Sequence, residues 1–179
     1  MYNNPFTPDS QKAKKSLFQK KVINISFKNV KQVELIEQRL KSLIEFGNHK
    51  IAPEQIKFVY DLEQQLLHDV NKIFKRGGGR VYSVAQAKGS IDNTILKKVD
   101  RLGNIISLDF NHFNLLMLPP SIEELTELAE LDFRNSAVTE IPDALQKLPK
   151  LKSLNLQNTK NLSPEQKTKL KAIFPFALI

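Results

Sequence analysis

Cysteine is absent from this chain of 179 residues, which excludes disulfides, thiol catalysis and cysteine-built zinc sites. No run approaches the roughly 20 apolar residues needed to span a bilayer. The opening "MYNNPFTPDSQKAKKSLFQKK" lacks the basic-then-apolar order of a secretory signal. Together these absences fit a cytoplasmic location. Histidine is scarce: His49, His68 and His112 are the only three. They are expected in a loop, a helix and a strand, with no ligand spacing among them. His68 and Asp69 are neighbours on a helix and are expected to point apart. No serine, histidine and acid share a recognised nucleophile setting. The chain therefore reads as a non-enzyme, with no catalytic residue, metal site or cofactor expected.

What is present suits a folded protein. Hydrophobic residues make up 41% and charged residues 26%, enough to build one core or two small ones. The net charge is +8, and the positive excess lies in residues 1–103, while 104–179 is close to neutral. That asymmetry suggests two different modules. Residues 1–20 form a polar basic arm, with Lys12, Lys14, Lys15 and Lys20 beside Lys21.

Residues 21–80 read as a helical domain. "VINISF" (22–27) alternates as a short strand does. A helix over 30–46 would place Val30, Val33, Ile36, Leu40, Leu43 and Ile44 on one face. Asn29 with Gln32 resembles a capping box at its start, and Gly47 is a natural stop. A second helix from Pro53 to Arg76 carries Ile56, Val59, Leu62, Leu66, Val70, Ile73 and Phe74 as a buried stripe. The two would form an antiparallel helical hairpin closed by "GNHKIAPE". "KRGGGR" (75–80) then breaks the pattern. It reads as a linker, with a phosphate-cradling loop as the alternative. Arg80 is followed by Val81 and Tyr82, however, where a P-loop needs lysine and then Ser or Thr.

The C-terminal half repeats. Leu128, Leu131, Phe133, Val138, Ile141, Pro142, Leu145 and Leu148 recur 23 residues earlier as Ile105, Leu108, Phe110, Leu115, Leu118, Pro119, Ile122 and Leu125. Leu151, Leu154 and Leu156 begin a third copy, from which "NTKNLSPEQ" departs. A constant period of this kind means stacked supersecondary units, each unable to bury its apolar face alone. "LAELDFRNSAVTEIP" and "IISLDFNHFNLLMLP" resemble the leucine-rich repeat family, whose units read L-x-x-L-x-L-x-x-N-x-L-x-x-L-P. The resemblance covers about 105–179. The slot usually held by Asn contains Phe113, Ser136 and Thr159. Ser and Thr can supply part of its hydrogen bonding; Phe113 cannot, and its turn is expected to be bent or packed against the helices.

The resemblance implies an α/β fold, a short leucine-rich repeat solenoid of parallel strands with a 23-residue period, capped by the N-terminal helical hairpin. Within 81–179, residues 81–104 read as a degenerate repeat. Tyr82, Ala85, Ala87, Ile95, Val99 and Leu102 hold the frame, Asp92 breaks it, and a return helix over 91–102 stops at Gly103. Residues 105–162 are the repeats, and 163–179 a closing unit. In that unit Ser163-Pro164-Glu165 starts a helix and "IFPFALI" ends as a strand or plug, so the fold is expected to finish with the chain.

The family's concave strand face would then carry three rows: Ser107, Asp109 and Asn111; Glu130, Asp132 and Arg134; Ser153, Asn155 and Gln157. His112, Asn135 and Asn158 form the next column. Such columns bind partners in this family, most often proteins; the alternative is a merely solvated face. Asp109 and Asp132 would stack one strand apart, able to hold a cation or to be compensated by Arg134. Three short strands fall below the roughly 800 Å² per partner of a standard interface. The hairpin would therefore share the contact with an unidentified protein, and the chain would be a monomer or a homodimer paired through the hairpin. The rival reading is nucleic acid or another polyanion, held by Lys12, Lys14, Lys15, Lys20, Lys21, Lys75, Arg76 and Arg80. Against it, lysine outnumbers arginine 22 to 5, and no aromatic-rich binding motif accompanies the charge.

Overall fold

The structure, a computed structural model, describes residues 30–77 and 84–179. The arm over 1–20, "VINISF", the Asn29 cap, and Gly78, Gly79, Arg80 and Tyr82 lie outside the described residues, as do Lys12, Lys14, Lys15, Lys20 and Lys21. The chain divides into two compact units, residues 1–38 and 39–179. Helix α1 spans Val30–Ser42. Strands β1 (Ile44–Phe46) and β2 (His49–Ile51) follow. A 3-10 turn over Pro53–Gln55 leads into α2 (Ile56–Gly77). Then come α3 (Val84–Ser90), a π turn over Ile91–Ile95, and the strands β3 (Leu96–Val99), β4 (Ile105–Asp109), β5 (Glu130–Asp132) and β6 (Ser153–Asn155). Helix α4 spans Pro164–Ile173. Among the described residues no helix is long and apolar enough to cross a membrane.

The α/β class holds, but the expected solenoid capped by a helical hairpin does not. One sheet is two-stranded and antiparallel (β1-β2), and the other is a four-stranded mixed sheet in the order β3-β4-β5-β6. Only β4, β5 and β6 run parallel; β3 is antiparallel to β4 with register shifts. The cause lies in "DRLGN". Asp100 accepts the backbone N–H of Leu102 and of Asn104, each at 2.8 Å, and Gly103 takes φ +81°. That turn folds 96–99 back on β4 as a hairpin, so the expected return helix over 91–102 does not form.

The helices are likewise not a simple hairpin, because β1 and β2 lie between them. "IEF" and "HKI" pair in register across Gly47-Asn48, with Gly47 at φ +58°. α1 accordingly stops at Ser42 rather than near 46. Its Val33, Ile36 and Leu40, expected along one face, are exposed. In α2 the stripe is real over the described side chains: Val59, Leu62 and Leu66 are fully buried and Ile56 packs against the core.

Asp92, the residue that broke the repeat frame, anchors the hairpin. It is 9% exposed, and its carboxylate accepts the Asn48 backbone N–H at 2.7 Å and the Asn48 amide at 2.9 Å. A Cβ at Gly47 would collide with that carboxylate. Gly47→Ala is therefore expected to lower stability by more than the roughly 1–2 kcal/mol of a left-handed backbone alone. The urea midpoint measures this, and a shift equivalent to less than about 0.5 kcal/mol, the usual range for surface changes, would show that the hairpin is not seated on Asp92.

The 23-residue frame is visible as strand register. Ser107, Glu130 and Ser153 are aligned, as are Leu108, Leu131 and Leu154, and Asp109, Asp132 and Asn155. Leu178 continues the series through a parallel bridge to Asn155. Between strands, Pro119-Pro120 and Pro142 set φ for short 3-10 turns over Pro120–Glu124 and Asp143–Lys147. Neighbouring returns are stitched by Thr139 N–H to the Leu116 carbonyl (2.8 Å) and Ala137 N–H to that of Phe113 (3.0 Å). Phe110 and Phe133, both fully buried, stack at 5.1 Å with their planes 10° apart. α4 begins with a complete capping box between Ser163 and Gln166.

Candidate functional site

The strand-face residues are brought together in register, and most are tied into one polar lattice. In each parallel strand a side-chain oxygen accepts the backbone N–H two residues on: Asp109 from Asn111 (2.8 Å), Asp132 from Arg134 (2.9 Å) and Asn155 from Gln157 (3.1 Å). This Asx geometry starts the turn that leaves the strand. The turn then passes through a left-handed residue: His112 at φ 62°, Asn135 at 54° and Asn158 at 60°. Asparagine tolerates that conformation better than most side chains, and the two asparagines also form a ladder. Asn158 donates to Asn135, and Asn135 to Asn111, each at 3.1 Å.

The Asp109 and Asp132 carboxylates are each met by a basic side chain. Arg134 grips Asp132 with its Nε at 2.8 Å from Oδ2 and 3.1 Å from Oδ1, as compensation by Arg134 required. Asp109 instead meets Lys97 Nζ at 3.6 Å, a residue that the frame arithmetic missed. The exposed lysines of β3 carried no repeat signal, since β3 is outside the parallel register. Among the described residues no three His, Cys, Asp or Glu side chains are grouped to hold a metal ion.

Ser107 is buried, and Asp109, Asn111, Asp132 and Asn155 are half-buried. Glu130, Arg134, Ser153, Gln157, His112, Asn135 and Asn158 are exposed. Glu130, Ser153 and Gln157 have no side-chain partner among the described residues, unlike their neighbours in the lattice. The slot that usually holds Asn behaves unevenly. Thr159 donates its hydroxyl to the Leu156 carbonyl at 2.6 Å, whereas the buried Ser136 hydroxyl has no partner among the described residues. Phe113 packs against the core, and its turn keeps the conformation of the others rather than bending.

The histidines are not assembled into one site. His49 Nε2 lies 3.0 Å from the Asp92 carbonyl. His68 and Asp69, expected to diverge, meet at 3.0 Å. Asp69 is buried and also accepts from Gln65 Nε2 (2.9 Å) and Leu116 N–H (2.8 Å), which marks it as a packing anchor. Asp61 serves similarly. Hydrogen bonds from Lys57 and then from Ser121 hold its carboxyl below the ordinary range, the Ser121 bond measuring 2.6 Å. Of the polyanion set, Lys75 and Arg76 fall on the last turn of α2 and the rest lie outside the described residues. No family model matches the chain, and no curated protein does either.

Proposed function

We propose that the chain is a non-catalytic binding module of the leucine-rich repeat kind, which engages a partner protein through its strand face. The observation that carries this reading is the division of labour in the lattice. Asp109, Asp132, Asn155 and the asparagine ladder are spent on holding turns, while Glu130 and Ser153 stand exposed and unpaired on aligned strands and Gln157 does so on the turn that follows β6. A rigid backbone presenting uncommitted polar groups at fixed spacing is what recognition needs. Three strands offer little area, so a partner of standard size would extend onto the neighbouring helices. The lack of cysteine is consistent with a cytoplasmic setting.

The test keeps the lattice intact. Glu130→Arg with Gln157→Arg should abolish capture of a partner from lysate, with thermal stability changed by less than about 0.5 kcal/mol. Unchanged capture would sink the strand-face reading. A nucleic-acid partner predicts instead that mixed DNA or RNA binds with affinity falling steeply as salt rises.

A further inference from the structure

A second surface lies among residues outside the strand columns. Leu40, Leu43 and Val99 floor an open cleft of about 490 Å³, with Lys50 and Arg101 at its rim. That volume lies within the usual range for binding pockets, about 300–1,000 Å³. The walls are fixed by bonds that do not involve the floor. Arg39 donates from Nε to the Leu102 carbonyl and from Nη2 to the Asn104 side chain, each at 3.1 Å. A third bond, Ala52 N–H to the Gly103 carbonyl at 2.9 Å, joins β2 to the same turn. Gly103 leaves room for this approach: a Cβ there would sit 2.7 Å from Ala52 N.

The charge of the cleft is one-sided. Lys50 and Arg101 are exposed, and neither has an ion-pair partner among the described residues. The one carboxylate present, Asp100, is occupied internally, its Oδ1 by two backbone N–H groups and its Oδ2 by the Asn104 amide at 2.9 Å. Some surface lysines elsewhere are matched, as Lys147 is by Glu123 and Lys150 by Glu127, while others, such as Lys98 and Lys152, have no ion-pair partner among the described residues. An aliphatic floor between two uncompensated cations complements an apolar side chain flanked by carboxylates. Among the described residues no Phe, Tyr or Trp lines the cleft to stack a base, as single-stranded nucleic acid favours, and its one ring, His49, is tied through Nε2 to the Asp92 carbonyl at 3.0 Å.

We infer that this cleft docks an acidic segment of a partner protein, which inserts an apolar side chain between Lys50 and Arg101. The test uses the full chain, labelled with ¹⁵N, and a short blocked synthetic peptide with a central Leu-Phe pair flanked by glutamates. The expected result is saturable movement of the Lys50, Val99 and Arg101 amide signals, with affinity falling about tenfold or more in K50E/R101E, since rim charges turn from attractive to repulsive. The Glu130→Arg/Gln157→Arg protein should bind the peptide unchanged, so that failure here and failure of the strand-face reading are separate results. Equal binding of a glutamine-substituted peptide, shifts confined to other residues, or binding of decanoate without binding of the peptide would each overturn the inference.

Discussion

Phe133→Ala should be among the most damaging single changes in the repeats, lowering stability by about 3–5 kcal/mol. The ring is fully buried and stacks on Phe110 from the preceding repeat, so truncation opens a cavity and strips one face from its neighbour. Natural domains carry only about 5–15 kcal/mol of stability, so the variant would be close to unfolding at room temperature. The same residue sits between Asp132 and Arg134, and partner capture should fall with the folded fraction. Urea unfolding measures the loss. The ring–ring part is separable: a double-mutant cycle of Phe110→Leu and Phe133→Leu should return a coupling of about 0.5–1.5 kcal/mol. Zero coupling would mean that the two rings are independent fillers and that the repeats are not registered through this stack.

That stack also shows why the C-terminal half was legible in the amino-acid order. Each buried position recurs at one fixed interval, and the interval is also the register of β4, β5 and β6, so spacing alone places Leu108 beside Leu131 and Leu131 beside Leu154. The site columns follow from the same arithmetic. Their internal wiring does not, because the pairing of Lys97 with Asp109 depends on β3 turning back at Asp100–Gly103. Asn135 and Asn158 carried a readable hint, an asparagine at the repeat interval where the backbone turns left-handed. The helical half resisted for a different reason. β1 and β2 each span three residues, too short for alternation to outweigh a helical pattern that runs on from α1. Their anchor on Asp92 joins residues 44 apart, a contact that no local signal announces.

The second large effect concerns how the first repeat tolerates having no repeat before it. In the second repeat the Thr139 N–H is taken by the Leu116 carbonyl one unit back. The corresponding amide of the first repeat, on Leu116, has no such carbonyl to reach, and Asp69 of α2 supplies the acceptor at 2.8 Å. A carboxylate on a helix thus stands in for a missing strand of backbone. Asp69→Ala should leave the part-buried Leu116 N–H without its acceptor, at a cost of up to about 1–3 kcal/mol, and should also release Gln65 and His68. Asp69→Asn keeps one accepting oxygen and should recover part of the loss. Hydrogen exchange separates this account from general destabilisation. The Leu116 amide should lose protection in Asp69→Ala by more than the Thr139 amide does, because only the former loses its acceptor. Equal loss at both positions would show that Asp69 acts through α2 as a whole, and that the first repeat does not depend on a borrowed acceptor.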